Sequence, residues 1–547
     1  MANYEYIKKR LDRLGQERGT WEVNWQEILD YVMPRKADVV TLRTRGEKRT
    51  EVLFDSTAIT ANNLLAASLQ GTLTSPSLPW FSIKLRDEEL NENRDVQLWL
   101  EDTARRMYDT FNETNFNTEV HEMYLDLCSI GTAALFVEEG SNGFDTDGIH
   151  FNCLHIAEYY IQESIDGKVD TLYRKYKLTA RQAVQEFGFD KVGEKIQTAS
   201  KERPDHKFNF IHAVEPTADY ERSTGKSATK LKFHSCHVCE EDKMVVRTGG
   251  YNEFPYLVPR WSKATGEIFG RSPSFNALPD IKTLNKAVEI GLKAWAKAID
   301  PPLLVTDDGV IGRVRMTPAG ITVVRRDGAV KALQIASNWQ VTDMKENQLR
   351  TAIRQAYYSD QLQLQEGPQM TATEVQVRYE LMQRLLGPTL GRFQTEFLNP
   401  LIERVFGLMF RKGQFMTPPD NISEANMDIE YVGPLARSQR MEEAVAVERL
   451  YQLAMTIGQA NPDIMDLIDH DKAVRLRAKL LGVPKNILRG EAEVNGIRQQ
   501  RAQQQQMAMQ QQQALEQAKT MNETTKAAET ASNPQVQEVL NQVAGLE

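Results

Sequence analysis

The sequence has no apolar run long enough to span a bilayer, which limits where the protein can work. A membrane-spanning helix needs about 20 consecutive apolar residues, and no stretch of this chain approaches that length. The chain also begins directly with an amphipathic pattern instead of the regions of a signal peptide. We therefore expect synthesis in the cytoplasm and no association with a membrane.

Cysteine is scarce, with four residues among 547. So few cysteines exclude a disulfide scaffold, and we expect reduced thiols at Cys128, Cys153, Cys236 and Cys239. The run from His234 to Cys239 contains several zinc-ligand types, but a structural zinc site takes a second pair of ligands with similar spacing, and none is present. A buried strand, without metal, is the favoured interpretation.

Motifs that would carry catalysis are incomplete. Residues 223–227 read STGKS, like the end of a phosphate-binding loop, but Tyr220 occupies the position of the first glycine. The stretch is predicted to be a polar turn between strands. Gly266 and Gly270 have the wrong spacing for a dinucleotide fingerprint, and the eight histidines are scattered. We predict no catalytic residue, no cofactor and no enzyme activity.

An excess of positive charge is also missing, since the formal net charge is −9. Proteins that adhere to nucleic acid generally use basic patches to replace the counterions on phosphates. One local exception is a loop after Pro34, which is expected to be solvated, with contact to an acidic partner as the alternative. Its basic residues are Arg35, Lys36, Arg43, Arg45, Lys48 and Arg49.

What is present is enough for a large soluble protein, with 41% hydrophobic and 26% charged residues and length for three or more domains. The N-terminal half predicts an α+β body. Helices are expected up to Pro34 and near Thr57–Gln70, Arg94–Asn112 and Thr118–Ile130. Strand-like runs then predict a mainly antiparallel β region, interrupted by a short helix at Thr179–Phe187.

Residues 268–411 carry two amphipathic helical patterns separated by about forty strand-like residues. The first pattern must end before Pro301 and Pro302, which lack amide donors. Turn signals with hairpin spacing follow, and a second helix is predicted at Asp343–Leu362. The chain is expected to go out along one helix and return along the other. The apolar stripe of the first helix is Ile281, Leu284, Val288, Gly291, Leu292, Trp295 and Ile299.

Further helices are predicted toward the C-terminus. The capping-box spacing of Thr371 and Glu374 starts one helix, Gly387-Pro388 predicts a kink, and an apolar stripe resumes from Phe393 to Met409, with Asn399-Pro400 as a second bend. Helices are expected again at about Ser438–Gly458 and Pro462–Gly482. The glutamine-rich run 499–513 can form a helix but has low complexity.

One acidic cluster near residue 470 invites a metal hypothesis. The favoured alternative is a helix start, where acidic side chains interact with the positive end of the helix dipole. The cluster consists of Asp466, Asp469, His470 and Asp471.

Four segments, taken in order, resemble the portal, or head-to-tail connector, proteins of short-tailed T7-like bacteriophages. They are GEIFGRSPSFNALPDIKTLN, DPPLLV, QMTATEVQVRYELMQRLLGPTLGRFQTEFLNPLIERVF, and DHDKAVRLRAKLLGVPKNILRG with the glutamine-rich end. The resemblance implies an α+β portal fold that is mainly helical, with antiparallel β structure in the wing and clip. It also implies a cyclic homo-oligomeric ring, a dodecamer.

The same resemblance divides the chain into named parts. They are the wing (1–279), the first stem helix (280–299), the clip (300–342), the second stem helix (343–362), the tunnel loop (363–372), the kinked wing helix (373–415), the crown (416–490) and a glutamine-rich tail (491–547), which is either a helical barrel or disordered.

The implied function is a ring at one capsid vertex of the virion, through which double-stranded DNA is packaged and later ejected. The implied partners are further copies of the chain, the viral DNA, the terminase large subunit, the tail adaptor, and the major capsid and scaffolding proteins. The chain is expected to be synthesised in the host cytoplasm. A cytosolic helical scaffold without a DNA channel is the alternative. A nucleotide- or metal-dependent enzyme of nucleic acids is a third class.

Three groups of residues are the candidate sites. DNA contact in the channel is assigned to Gln361, Gln363, Gln365 and Gln369, with a subunit-interface loop as the alternative. Stem or channel contacts are assigned to Lys282, Lys286, Lys293 and Lys297, for which a solvated face or a neighbouring subunit is an equal alternative. Partner docking is assigned to the clip between Val310 and Val330, with Arg313, Arg315, Arg325 and Arg326.

Overall fold

A computed structural model describes residues 2–44, 46–76, 79–87, 91, 93–140, 148–225, 229–299, 302–306, 310–311, 314, 321–325, 327–332, 339–362, 387, 389–419, 427–431, 434–458, 467–480 and 487–531. The chain divides into two compact units. The first comprises residues 1–91 with 99–439, and the second comprises residues 92–98 with 440–547. Within the described ranges, no helix combines the length and apolar character that crossing a membrane requires.

The N-terminal helix, Ala2–Val32, ends directly before Pro34, as predicted from the missing amide donor of proline. The helices expected in the N-terminal half are confirmed, with ends shifted by a few residues. The helices that follow up to residue 411 are Thr57–Leu73, Arg94–Glu113, Phe116–Ile130, Ala180–Phe187, Glu194–Glu202, Thr217–Thr224, Pro273–Ile299, Trp339–Ala356, Ser359–Leu362 and Asn399–Arg411.

The main sheet has five antiparallel strands in sequential order, as expected from the strand-like runs. They are β4 (Tyr159–Glu163), β5 (Val169–Thr179), β6 (Lys207–Pro216), β7 (Phe233–Cys239) and β8 (Met244–Tyr251). A three-stranded antiparallel sheet in the order β3-β2-β9 adjoins it in sequence, with β2 at Ala134–Glu139, β3 at Ile149–Leu154 and β9 at Tyr256–Leu257.

Both faces of the main sheet are covered by helices. On one face, Leu11 of the N-terminal helix packs with Ile211 and Ala213 of β6. On the other face, Phe187 and Ile196 pack with Phe208 and Phe210 of the same strand. Because alternate residues of a strand point to opposite faces, β6 is buried on both sides. The sheet is therefore the middle layer of a helix–sheet–helix arrangement.

Two local predictions in this region need correction. The STGKS stretch was expected to form a turn between strands, but Thr217–Thr224 is a short helix that Gly225 closes in a left-handed conformation. A helix at Glu194–Glu202 follows Ala180–Phe187, where the sequence predicted only one. The polar residues of both segments satisfy a helix start or end as readily as a turn, so composition alone does not separate the two.

One pair of strands was also not predicted from the sequence. Strand β1 (Phe81–Leu85) pairs antiparallel with β14 (Met427–Tyr431), so that Phe81 lies opposite Tyr431. The two strands are 341 residues apart in sequence, and neither has a nearby partner that a local pattern could indicate.

The predicted outward and returning helices are confirmed. Helix Pro273–Ile299 starts seven residues before the expected start at Asp280. Pro273 stands at its first position, where proline is tolerated, and Pro279 lies in its interior. The returning helix, expected at Asp343–Leu362, begins earlier, at Trp339, and ends at Ala356, and it packs against the first helix. Between them, β10 (Leu303–Val305) pairs with β13 (Val330–Ala332), and β11 (Val310–Ile311) pairs with β12 (Val323–Val324).

The predicted helix start near Thr371 and the kink at Gly387-Pro388 lie outside the described residues, apart from Gly387 itself. Next, a π-helical turn at Gln394–Leu398 leads into the helix Asn399–Arg411. Such turns are a recognised cause of helix bending. The irregularity thus lies one turn before the bend that was expected at Asn399-Pro400.

The described part of the second unit is mainly helical, with short non-helical segments at residues 468–469 and 488–490. Helix Pro434–Gly458 extends into it from the first unit, and it contains His470–Leu480 and the 41-residue helix Glu491–Ala531. Ion pairs link these helices, with Arg498 Nη1 2.6 Å from Asp471 Oδ2 and Arg477 Nη2 2.7 Å from Glu448 Oε2. The glutamine-rich run 499–513 lies within the helix Glu491–Ala531, as its composition allows. The barrel of several copies stays a prediction.

Candidate channel and docking residues

The four candidate stem lysines lie on the helix Pro273–Ile299, but most of them already have partners. Lys282 forms an ion pair with Glu27. Lys286 Nζ lies 2.9 Å from Glu289 Oε2, and Lys293 binds the same carboxylate. Hydrogen bonds from these two lysines lower the pKa of Glu289 to about 2. Three of the four lysines thus share their charge with carboxylates of the same chain, so the four do not form an uncompensated basic stripe. The fourth, Lys297, is exposed.

The apolar stripe of this helix is buried only in its first half. Ile281 and Leu284 are 5% and 1% exposed. By contrast, Leu292, Trp295 and Ile299 are 50%, 58% and 64% exposed. Large apolar side chains in a continuous group are unusual on a free surface and commonly mark a protein contact. The second half of the helix therefore presents an apolar face that the described residues of this chain leave exposed.

The segment that leads toward the predicted tunnel loop is firmly anchored. Tyr357 is fully buried, and its hydroxyl lies 2.6 Å from Ser274 Oγ on the preceding long helix. Tyr358 then adopts a left-handed backbone conformation, with φ of 57°, before the short helix Ser359–Leu362. Gln361 lies in that helix, whereas Gln363, Gln365 and Gln369 lie outside the described residues.

The candidate docking residues of the clip are described only in part. Arg325 follows strand β12, whereas Arg313, Arg315 and Arg326 lie outside the described residues. Around the paired strands, Ile311, Ile321 and Val323 are 54%, 80% and 55% exposed. The described part of the clip thus presents apolar surface as well as positive charge.

The basic loop after Pro34 is exposed over most of residues 40–50, as predicted, and four of its six basic residues also pair with acidic side chains of this chain. Arg35 Nη2 lies 2.7 Å from Glu122 Oε1, and Lys36 Nζ lies 2.8 Å from Asp126 Oδ1. Burial opposes the charge of Lys36, yet the Asp126 carboxylate raises the pKa of this lysine. Glu122 and Asp126 lie in the helix Phe116–Ile130, 87 and 90 residues further along the chain, so no local pattern could indicate these pairs.

Arg43 and Arg49 complete this arrangement at the same loop. Arg43 Nη2 is 3.2 Å from Asp30 Oδ1, and Arg49 pairs with Asp38. The positive charge that suggested an acidic partner is largely used inside the fold.

The cysteine predictions are confirmed, because all four thiols are free and His234–Cys239 lies in β7. Burial raises the pKa of Cys236 to about 12 and that of Cys239 to about 11. Since the thiolate is the form that binds metals and attacks electrophiles, these residues are inert at neutral pH. Among the residues that the structure describes, no three His, Cys, Asp or Glu side chains are grouped as metal ligands.

The acidic cluster near residue 470 behaves as a helix start. Asp469 Oδ1 accepts a hydrogen bond of 3.1 Å from the backbone N–H of Lys472, at the first turn of His470–Leu480. Asp471 binds Arg498 through both carboxylate oxygens. These contacts confirm the dipole interpretation for the described members; Asp466 lies outside them.

The sequence did not reveal a buried ionic centre at Arg260. Its side chain is fully buried, with Nη2 2.6 Å from Glu396 Oε1 and 2.8 Å from the Gly167 carbonyl oxygen. Nη1 pairs with Glu163. Glu396 lies in the π-helical turn, and its Oε2 also accepts a hydrogen bond from the Arg260 backbone N–H at 3.0 Å. Arg260 therefore fixes this turn to the body of the first unit.

Helices that cover an antiparallel sheet, a helix pair connected through short hairpin strands, and a mainly helical C-terminal unit make up an α+β chain with exposed apolar side chains. The chain belongs to the family of bacteriophage head-to-tail connecting proteins, whose family model matches residues 5–488.

Individual relatives share most of their length with this chain. It is 32% identical over 520 residues to a probable portal protein of Bordetella phage BPP-1, covering 92% of each chain. It is 29% identical over 515 residues to the portal protein of Salmonella phage epsilon15, covering 91% of each. Identity to the portal protein of Enterobacteria phage T3 is 20% over 479 residues, 84% of each. The family predicted from the ordered motifs is confirmed.

Proposed function

We propose that the chain is the subunit of a portal ring at one capsid vertex, through which double-stranded DNA enters during packaging and leaves during infection. The observation that carries the proposal is the family match over residues 5–488. The apolar faces left uncovered in a single chain support it, since ring subunits must bury surface against their neighbours.

The lateral contacts are proposed to include the second half of helix Pro273–Ile299. Leu292, Trp295 and Ile299 supply apolar surface there. Heterologous contacts between identical subunits close into a ring when the rotation per subunit divides the circle, and obligate interfaces bury about 2,000 to 5,000 Å². We propose a dodecamer with the wing, stem, clip, tunnel loop, kinked helix and crown at the boundaries given above.

The C-terminal helix Glu491–Ala531 supports a second contact between copies of the chain, in which these helices pack against one another. Its apolar residues remain exposed in one chain, and a 41-residue helix with such a surface gains stability by packing against copies of itself. A helical barrel at the crown end of the ring follows. The exposed apolar residues are Met507, Met509, Leu515 and Met521.

DNA passage fits a chain without a strong ionic grip. DNA carries about one negative charge per 1.7 Å, and a conduit that held each phosphate tightly would resist sliding. The stem lysines share their charge with Glu27 and Glu289. The amide side chains of Gln361, Gln363, Gln365 and Gln369 would make weak, replaceable hydrogen bonds with the duplex.

The partners follow from this role. The terminase large subunit, which supplies the ATP-driven work, and later the tail adaptor would dock at the clip between Val310 and Val330. The major capsid and scaffolding proteins would surround the ring at the vertex. The portal itself is a passage and not a motor.

Imaging of the purified full-length protein by electron microscopy tests the proposal. We expect closed rings with an axial opening wide enough for a DNA duplex. Rods would favour the cytosolic scaffold, and a stable single subunit under every assembly condition would refute the ring.

A further inference from the structure

A cavity of about 180 Å³ lies between the start of helix Thr57–Leu73 and the short helix Ser359–Leu362. None of the proposed channel or docking residues lines it. The lining combines hydroxyl groups, one guanidinium and two apolar side chains, and it contains no carboxylate. The residues are Ser56, Thr57, Thr60, Ala61, Leu64, Arg354 and Ser359.

Ser359 points to a missing ligand. The residue is 3% exposed, and its buried Oγ has no hydrogen-bond partner among the residues that the structure describes. A buried hydroxyl without a partner costs free energy, and native structures rarely leave one unexplained. A polar molecule in the cavity would supply the partner.

Arg354 lines the cavity and is exposed to solvent. Arg350, one helical turn earlier, pairs with Asp55 at 3.0 Å and with Glu346 at 3.2 Å. For Arg354, no ion pair occurs anywhere in the part of the chain that the structure describes. The two arginines therefore differ in role, since one is committed to the fold and the other remains open to an anion.

The start of the neighbouring helix adds to the preference for negative charge. Asp55 accepts a hydrogen bond of 2.8 Å from the Thr57 backbone N–H. The side chain of Ser56, the N-cap residue, makes no capping bond, so its hydroxyl is available as a donor. The positive end of the helix dipole lies at the same place. The pairing of Asp55 with Arg350 compensates the charge of the Asp55 carboxylate.

We propose that this cavity binds a single phosphate-type oxyanion. Arg354 would donate charge-assisted hydrogen bonds, and the hydroxyls of Ser359 and Ser56 would donate two more. The same chemistry is offered by free phosphate and by a phosphate group of a nucleic-acid backbone. The inference rests on the cavity alone and holds whether or not the chain forms a portal ring.

The test is a titration of the full-length protein with inorganic phosphate. The unfolding temperature is measured at each phosphate concentration, and sodium chloride is adjusted to keep the ionic strength constant. A ligand that binds only the folded state raises this temperature with a saturable dependence on concentration. We expect saturation for the wild type, loss of the shift in Arg354→Gln, and at least a several-fold weaker affinity in Ser359→Ala. Lys345→Gln, an exposed charge on the same helix, is the matched control and should bind like the wild type.

A second arm identifies the source of the anion. A short DNA duplex without terminal phosphates is added in place of phosphate. A saturable shift with this duplex that Arg354→Gln abolishes supports a backbone phosphate as the ligand, whereas a shift with inorganic phosphate alone supports the free ion. The proposal fails if neither probe produces a saturable shift, or if Arg354→Gln and Lys345→Gln respond equally.

Discussion

Arg260 shows how much one buried residue contributes to the placement of a whole segment. Its guanidinium is compensated by Glu163 and Glu396 and by the carbonyl groups of Gly167 and Ile268. No periodicity or motif marks Arg260 in the sequence, because its two acidic partners, Glu163 and Glu396, lie 97 and 136 residues away. Such a centre becomes visible only when the chain has folded.

We predict that Glu396→Gln lowers the free energy of unfolding by about 3 kcal/mol, because it leaves the buried Arg260 charge with one carboxylate fewer. Urea denaturation of the purified protein measures the change. The control is Glu267→Gln, which breaks an exposed pair with Arg271 and should cost at most about 1 kcal/mol. Equal losses for both variants would contradict the structural role of Arg260.

Two stacked histidines make stability depend on pH. The rings of His212 and His237 lie 3.9 Å apart in the interior. Burial lowers the pKa of His237 to about 3 and that of His212 well below its ordinary value. Both stay neutral in the folded chain, whereas in the unfolded chain they bind protons below about pH 6.5. Stability from this source is constant above pH 6.5 and falls as pH drops toward 3.

At pH 5 the loss amounts to about 2 kcal/mol for each imidazole. We predict that His237→Phe reduces the difference in unfolding temperature between pH 7.5 and pH 5. The comparison with the wild type is needed because Glu138, whose pKa burial raises to about 7, acts with the opposite sign in this window. An unchanged difference would show that the pair does not control the pH response.

At the scale of elements, proline marked two helix ends correctly. The N-terminal helix stops before Pro34, and the helix that ends at Ile299 stops before Pro301 and Pro302. Proline acts locally, through its missing amide donor and its fixed backbone angle, so sequence alone identifies these ends. The pairing of β1 with β14 could not be identified in this way, because it depends on contacts between distant segments.

The exposed half of helix Pro273–Ile299 allows a test of ring formation. We predict that Trp295→Ser leaves each subunit folded, since the ring of this residue is 58% exposed, but weakens assembly by about 2 kcal/mol or more per interface. Mass photometry of the assembled fraction measures the effect. Lys297→Ser, two residues further on, should assemble like the wild type; rings at wild-type yield for Trp295→Ser would place the interface elsewhere.

The clip tip can be removed without its base. The proposed docking region extends from Val310 to Val330, but Val330 pairs with Val305 in the base, so the cleaner deletion replaces residues 310–324 with a short glycine-serine link. We predict intact rings that no longer bind the tail adaptor in a pull-down assay. Loss of the rings themselves would show that the tip belongs to the subunit interface.

The proposed tunnel loop gives a prediction about transport. Lysines at Gln363 and Gln365 would add charge that grips phosphates, so we expect slower or stalled packaging. Lysines at Gln504 and Gln511 in the glutamine-rich helix are the matched control and should have less effect. Packaging rates of assembled particles measure both, and equal rates would remove the loop from the DNA path.

At the scale of the whole molecule, the sequence predicted the class of the fold and the family more fully than the candidate sites. The ordered motifs could be identified from the sequence because each one encodes a local element with its own caps and periodicity. The candidate basic residues were less informative: Arg35, Lys36 and Lys282 turned out to have acidic partners supplied by distant segments. The composition shows how many basic residues exist, but not which of them remain available to a partner.

The pairing of Phe81–Leu85 with Met427–Tyr431 also constrains the order in which the chain can fold during synthesis. A chain emerging from the ribosome can fold its five-stranded sheet early, but the N-terminal strand must wait for more than three hundred further residues before its partner exists. Contacts that are so distant in sequence are slow to form. A truncated translation product that lacks the partner strand would keep this edge open, and such a product is therefore a poor building block for a closed assembly.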